Sequence, residues 1–308
     1  MKIYFCKILT VSLLAFVLIG IYSCGGGSIE PTSTGTGGVC SIESISSSEG
    51  NNVGYSYNSE QKIDKVNVTG SGYNTTFTLA YDKTQTNGPV VSIGNPANSA
   101  LTLLTYSKDN LLQIAETTIP KKDGGIILGK PATITNFKNK LTFEWNSNKQ
   151  LVTQTSNTTS TVTVNGVSEQ FDFDTYLSYE YETNGDLLRV NTYSLESLIV
   201  GGKAVLSPGE LLSFVLFEYE SAIPEVIQKT GSTGLYLDFS GDGQVVFSPV
   251  IKKAVKKLIS NLPGDNGDYE QIITNYTNTK NASGFLSKSV GVDKYGTETI
   301  TYNYNNCK

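Results

Sequence analysis

The chain has 308 residues and no histidine, and it holds a single arginine, a single tryptophan and a single methionine. Without histidine there is no Ser-His-Asp triad, no Cys-His pair and no His-ligated metal site. The one arginine, Arg189, stands alone in the sequence. Phosphate and nucleic-acid recognition relies on clustered basic residues and forked donors, so a nucleic-acid partner is excluded. Charge is scarce as well: 17% of residues are charged, against about a quarter in a typical soluble domain. Polarity comes instead from Ser, Thr, Asn and 30 Gly, and 18 Tyr stand beside them. That mixture favours strands and turns over helices.

The N-terminus reads as an address. Lys2 and Lys7 bracket a short positive region, and Ile8 to Ile21 is an apolar run of 14 residues. A membrane span needs about 20 apolar residues, so this length suits the hydrophobic region of a signal peptide. The run closes in Ile21-Tyr22-Ser23-Cys24. An apolar residue at −3 and a small residue at −1 before Cys resembles the bacterial lipobox. The resemblance implies cleavage before Cys24 and lipid attachment at Cys24, with the membrane as partner through that anchor. Residues 1–23 are then the signal peptide. Residues 24–39 follow as a tether, with Gly25 to Gly38 reading GGGSIEPTSTGTGG. A flexible chain of that length has an r.m.s. reach of roughly 20 Å. Loss of residues 1–23 removes two lysines and no acids, leaving 21 basic against 28 acidic residues and a net charge of −7. An anionic surface repels such a domain, so the lipid has to carry the attachment. Gly25 at +2 is not the Asp associated with inner-membrane retention, so the outer membrane is the expected location.

Cys40 and Cys307 are the cysteines left in the exported part. Chain ends of a domain often lie close together and an oxidising compartment preserves disulfides, so the two are expected to pair.

From 40 to 308 one pattern recurs: an aromatic-rich alternating strand, a polar turn, then a strand opening on an aliphatic residue. Tyr55-Ser56-Tyr57 leads to Ile63, Phe77 to Tyr81 leads to Val90, and Leu103 to Tyr106 leads to Leu111. Phe143-Glu144-Trp145 leads to Leu151, and Tyr179-Glu180-Tyr181 leads through Asn184-Gly185 to Leu187. Phe217-Glu218-Tyr219 and Leu235 to Phe239 open similar units, and Thr299 to Tyr304 closes the chain. Period-2 alternation bounded by turn residues is the antiparallel hairpin signal. Asn165-Gly166 between Thr161–Val164 and Val167–Phe173 predicts a two-residue type I′ turn. One helix is expected. Ser248 caps it, Pro249 fits its first turn, Val250, Ile251, Ala254, Val255, Leu258, Ile259 and Leu262 share a face, and Pro263-Gly264 ends it. A weaker helical signal lies at Pro208–Leu212. The expected fold is therefore all-β and mainly antiparallel. It is a large twisted sheet or open barrel of repeated hairpins, with one amphipathic helix packed on it, in a single domain from 40 to 308.

Candidate chemistry is thin. The acid pairs Asp172/Asp174, Glu180/Glu182 and Glu218/Glu220 could serve a glycoside hydrolase. They alternate with aromatics, however, which puts acids and aromatics on opposite faces. Asp238-x-Ser240-x-Asp242-Gly243 resembles the start of a calcium loop, but position 12 is Pro249 where a bidentate acid belongs, so no metal or cofactor is expected. Trp145, Tyr179 and Tyr181 could stack on a glycan, although aromatics before a turn are usually core positions.

The lipobox, the glycine tether, the early Cys40, the aromatic-turn-aliphatic hairpins and the terminal Tyr302-Asn303-Tyr304-Asn305-Asn306-Cys307 resemble a group of uncharacterised Bacteroidetes lipoproteins. Their hairpins are similar to the YD-type repeats of Rhs-like proteins, and Tyr81-Asp82 is the literal YD pair here. The resemblance implies an all-β exported domain and brings no activity with it. The functional expectation is a lipid-anchored envelope protein that binds glycan or other envelope proteins without catalysis, with a His-free glycoside hydrolase as the alternative.

Overall fold

A computed structural model describes residues 41–305, apart from 71, 85–87, 128, 201–202, 225–234, 240–243, 250, 252 and 264–267. Cys24, Cys40, Cys307 and Ser240 to Gly243 lie outside the described residues.

The described elements are all strands. The first six are β1 (Ser41–Ser47), β2 (Asn52–Tyr57), β3 (Ile63–Gly70), β4 (Tyr73–Tyr81), β5 (Val90–Asn95) and β6 (Ala100–Tyr106). Six longer ones follow: β7 (Leu112–Ile127), β8 (Lys130–Trp145), β9 (Leu151–Val164), β10 (Val167–Tyr181), β11 (Leu187–Val200) and β12 (Lys203–Pro224). Then come β13 (Leu235–Phe239), β14 (Val245–Pro249), β15 (Lys253–Pro263), β16 (Tyr269–Lys280), β17 (Leu286–Val292) and β18 (Thr297–Asn305).

Sixteen strands form one closed antiparallel barrel, and β13 and β14 stand apart as a two-stranded sheet. Closure comes from β1 against β18, with Ser41 opposite Asn305 and Ile45 opposite Tyr302. The all-β antiparallel expectation holds, but the sheet is closed rather than open. Pairing the first strand with the last joins residues more than 250 positions apart, and no local pattern announces it.

Among the described residues the expected helix is not there: Ser248 and Pro249 belong to β14 and 253–263 to β15. Apolar residues at helical spacing also suit a strand here, because β15 has two neighbours to satisfy. Leu258 lies opposite Phe217 on one side and Thr274 on the other. A helix at this point would leave two strand edges unpaired and the barrel open. Leu258 and Ser260 turn inward and are buried, while Lys257 and Ile259 alternate with them. Pro208–Leu212 is likewise part of strand β12.

The recurring unit is a hairpin with the same ending each time. At Asn58, Ser107, Asn146 and Asn281 a side-chain oxygen accepts N–H groups two and four residues on, as in Asn146 Oδ1 with Asn148 at 2.9 Å and Gln150 at 3.0 Å. The fourth turn residue has positive φ at Gln61, Asn110, Lys149, Gly185 and Gly284. The next strand then opens on a buried aliphatic residue, Ile63, Leu112, Leu151, Leu187 or Leu286. One bulge follows at the same place in each unit, for example where Tyr181 faces Leu187 and Glu180 faces Arg189.

The aromatic at the strand end is a latch. Its polar hydrogen reaches the carbonyl that opens the preceding strand. Tyr81 donates to Ile63 at 2.6 Å, Trp145 Nε1 to Leu112 at 2.8 Å, Tyr181 to Leu151 at 2.9 Å and Tyr219 to Leu187 at 2.6 Å. Tyr57 reaches Ile42 at 2.6 Å, and Tyr304 reaches Leu286. All these latches lie at one end of the barrel, the end at which the described chain also begins and finishes. We call it the latched end. Asn165 and Gly166 make a two-residue turn at the far end, both with positive φ, as a type I′ turn requires.

The hairpin β13–β14 fills the latched end from within. All five residues of β13 are buried. A two-stranded hairpin buried on both faces must be covered on both sides. The Phe239 ring lies 5.0 Å from Phe77 of β4, and Phe247 lies 5.5 Å from Phe143 of β8. Leu235, Leu237, Phe239, Val245 and Phe247 join the same apolar cluster as inward residues of the barrel wall. Tyr236 donates to Ile251 at 3.2 Å. Where the chain returns to the wall, Lys253 pairs with buried Asp186 at 2.5 Å.

Candidate functional site

The barrel interior changes character along its length. Around the plug it is aliphatic and aromatic. Beyond the plug, many inward positions are small and polar: Thr102, Thr117, Ser156, Thr158, Thr175, Ser213, Ser260 and Thr274 are all buried, beside two small apolar clusters around Ile119 and Phe137 and around Ala132 and Val162. Some of them pair across strands, as Thr102 with Thr117 at 2.9 Å and Ser156 with Asn139 at 3.1 Å. Buried hydroxyls that pair in this way avoid most of the desolvation cost of an unmade bond.

The outer face carries the charges. Lys140 pairs with Glu116 at 3.4 Å across β7 and β8, and Lys257 pairs with Glu218 at 2.9 Å across β12 and β15. Glu144 accepts from Thr153 at 2.9 Å, and Glu180 accepts from Asn191 at 2.7 Å.

These positions decide the acid pairs. Tyr179 and Phe217 are buried, whereas Glu180 and Glu218 are on the opposite, exposed face. Asp172 is exposed as well. Glu182 takes a bond from Asn184 in its own turn, and Glu220 takes one from Asn278. The pairs are therefore spread over the outside of the wall and do not converge in one cleft. Asp238 is buried within the plug and accepts from Ser248 at 3.0 Å. Among the described residues no cluster of three metal-ligating side chains occurs. Trp145 and Tyr181 are half-buried latches and Tyr179 is a core residue that donates to Gln154 at 3.1 Å. All three serve the fold rather than an open stacking platform. Burial holds the phenols of Tyr57, Tyr81, Tyr179 and Tyr181 well above the usual tyrosine range.

One open cleft of about 990 Å³ lies outside the latched end, between the 58–62 turn and the end of β4. Glu60, Lys62, Asp64, Tyr81, Asp82 and Lys83 line it. Lys62 is nearly buried, sits 3.1 Å from Glu60 and lies over the Tyr81 ring at 5.1 Å. The cleft's innermost cation is thus already engaged.

An inward-facing acid lies at the far end. Glu298 of β18 accepts from Ser47 at 2.7 Å. Burial raises its pKa, Glu49 and Asp293 add to the rise, and the Ser47 bond opposes it.

The far rim is uneven. Its hairpins between β7 and β12 are long, whereas β5 and β6 have six and seven residues. Ile126 is 68% exposed and Val167 is 66% exposed, beside the tips of two of these hairpins.

No family model matches the chain, and no curated protein matches it. Among solved structures it is similar to a porin-like protein from Bacteroides uniformis, with 13% identity over 86% of this chain and 98% of that one, and a TM-score of 0.44. It is also similar to a TcdB2-TccC3 chain lacking its hypervariable C-terminal region, with 12% identity over 84% of this chain and 15% of that one, and a TM-score of 0.22. At these values neither likeness carries an argument about this protein.

Proposed function

We propose that this chain is a lipid-anchored, non-catalytic envelope protein whose closed barrel stands in water at the outer membrane. One observation carries the reading: at the latched end the barrel is packed solid with apolar side chains, while ion pairs lie on its outer wall. A strand barrel that crosses a bilayer presents an outward apolar band about 25 Å tall and keeps its polar residues in the lumen. Here Lys140, Glu116, Lys257 and Glu218 lie on the outer face, and the apolar plug lies within. No described helix is long and apolar enough to cross a membrane either, which says nothing about strands. Attachment then falls to Cys24, in keeping with the lipobox-like sequence and the net charge of −7 expected after cleavage.

Carbonate extraction of membranes tests this. The wild type should stay with the membrane, label with a palmitate analogue and fractionate with the outer membrane. A chain exported from Gly25 behind a cleavable signal should be released into the supernatant. A Gly25 chain that resists carbonate would mean that the strands span the bilayer, and the reading would be wrong.

We also propose a Cys40–Cys307 disulfide as a staple across the barrel seam. Ser41 faces Asn305 in the β1–β18 ladder, so each cysteine lies within two residues of a paired position. Thiol titration of the unfolded, unreduced mature protein should find neither cysteine free.

A further inference from the structure

We propose that the strand edge Val167–Asp174 of β10 is a docking site for an extended peptide whose residues alternate between basic and apolar. Toward the far rim β7, β8, β9 and β10 continue as a four-stranded sheet, with β7 paired to β8, β8 to β9 and β9 to β10. Its outer strands, β7 and β10, outrun their neighbours in the wall. The ladder between β7 and β6 stops at Thr118. The ladder between β10 and β11 stops at Thr175, opposite Ser194. On its other side β10 stays paired with β9 as far as Val167. Among the described residues Val167–Asp174 is therefore paired along one side only.

The two edges differ in chemistry. A free edge is normally blunted by proline, lysine or a bulge, because a flat one recruits other strands. The β7 edge has all three: Pro120, then Lys121 and Lys122, then a bulge between Asp123 and Ile126. The β10 edge has none of them. Its register with β9 is unbroken from Val167 to Ser178, and Val167, Ser168, Glu169, Gln170 and Asp172 are exposed. Val164 and Val167 close the Asn165-Gly166 turn, so they exchange backbone hydrogen bonds. Bonded pairs then fall on the odd-numbered residues of β10. Ser168, Gln170, Asp172 and Asp174 turn their N–H and C=O groups away from β9, toward the open side. An extended peptide joins a sheet through such a row of groups.

Charge and alternation select the occupant. From Gln150 to Leu188 there is no Lys or Arg, whereas Glu169, Asp172, Asp174, Glu180, Glu182 and Asp186 all fall in that stretch. Alternation places Asp172 and Asp174 on the outer face of the edge and Val167, Phe171 and Phe173 on the inner face. Phe171 already packs against the cluster of Ala132 and Val162. A matching strand carries basic residues on its outer face and apolar residues on its inner face, where they extend that cluster. A second copy does not match. Edge to edge, it would bring the acids of two β10 strands together. Its β7 edge offers Pro120 and a bulge in place of a continuous ladder.

The test uses a chain from Gly25, which has no lipid and keeps every strand, and a capped peptide of four Lys-Val repeats. In the free protein the amides of Ser168, Gln170, Asp172 and Asp174 should exchange with solvent faster than those of Glu169, Phe171 and Phe173. The peptide should protect them. Directly opposed residues share a face of the sheet, so the lysine amides form the new ladder. Methylating the lysine backbone nitrogens should weaken binding by about tenfold or more, and methylating the valine nitrogens should change it by no more than a few-fold. Asp172→Lys with Asp174→Lys should keep the circular dichroism spectrum, lose the Lys-Val peptide and gain a peptide of Glu-Val repeats. The proposal is overturned if the unchanged chain ignores the Lys-Val peptide or takes Glu-Val repeats equally well. Slow exchange of the edge amides in the free monomer, or equal weakening by the two methylations, also overturns it. So does a chain that dimerises unaided and buries these amides, because the occupant would then be a second copy. Because Cys24 is absent throughout, none of these outcomes bears on the lipid anchor.

Discussion

The two ends of this barrel are made by different rules. At the latched end the turns repeat, and at Asn58, Ser107, Asn146 and Asn281 a side-chain oxygen caps the same two amides. The strand-end aromatics Tyr57, Tyr81, Trp145, Tyr181, Tyr219 and Tyr304 close on carbonyls, and a buried hairpin packs the space inside. At the far end the hairpins differ in length, small polar side chains stand inside beside small apolar clusters, and Ile126 and Val167 are exposed near two of the tips. Repetition at one end fixes the barrel. Irregularity at the other leaves room for a specific surface, as is usual when a rigid scaffold carries its functional residues on connections.

The sharpest way to break that contrast is to empty the plug. Phe239→Ala removes a ring held against Phe77 inside a closed wall, and should cost about 3–5 kcal/mol. Val167→Ser at the far rim should change stability by less than about 0.5 kcal/mol. Urea denaturation of both variants checks the ratio. Equal losses would mean that the latched end holds the barrel no more firmly than the rim does.

High pH should attack the same end. Burial raises the phenols of Tyr57, Tyr81, Tyr179 and Tyr181 in the folded state. Groups with raised folded pKa values give their full stability below the unfolded value of about 10, and lose it as pH climbs toward the folded value. Stability should thus be flat through neutral pH and fall above about pH 10. Tyrosine absorbance should rise in two steps, with the buried phenols ionising only as circular dichroism reports unfolding. A single step that precedes unfolding would contradict the burial of these rings.

Removing one latch has a smaller effect. Tyr181→Phe keeps the ring and loses the bond to Leu151, which should cost about 1 kcal/mol. The loss should be read as a small shift in denaturation midpoint. Two latches removed from non-neighbouring units, Tyr81→Phe with Tyr181→Phe, should lose close to the sum of the separate effects.

The smallest effect lies at Glu298. Its folded pKa is raised, so the ionised form is disfavoured in the fold. The stability this group contributes is present below the unfolded carboxylate value and is lost as pH rises through the folded one. The site is about half exposed, so solvent screening keeps the effect under about 1 kcal/mol. Glu298→Gln should match the wild type at low pH and be slightly more stable at neutral pH. A variant that is less stable at neutral pH would show that the Ser47 bond outweighs the burial.

The hairpin units were legible because their signals are local. An aromatic, a capping Asn or Ser, a residue able to take positive φ, and an aliphatic opener all fall within about ten residues. The latches were not legible, since a tyrosine before a turn says nothing about which carbonyl it meets. The plug did leave a trace. Leu235-Tyr236-Leu237-Asp238-Phe239 is nearly continuous in apolar character, where the wall strands alternate. A run of that kind marks a strand buried on both faces. The spacing from Val250 to Leu262 misled because apolar residues at helical intervals also fill alternate strand positions once a bulge intervenes, and β15 carries one near Val255.

The sequence by itself determined the strand class, the antiparallel hairpins, the turn chemistry and the separation of acids from aromatics, because each depends on residues a few positions apart. Only the tertiary structure decided that the sheet closes, that β13–β14 lies inside it, and that residues 253–263 are a strand. Each of those depends on which distant edge or face is available to be covered, and a chain of alternating residues carries no record of its partners.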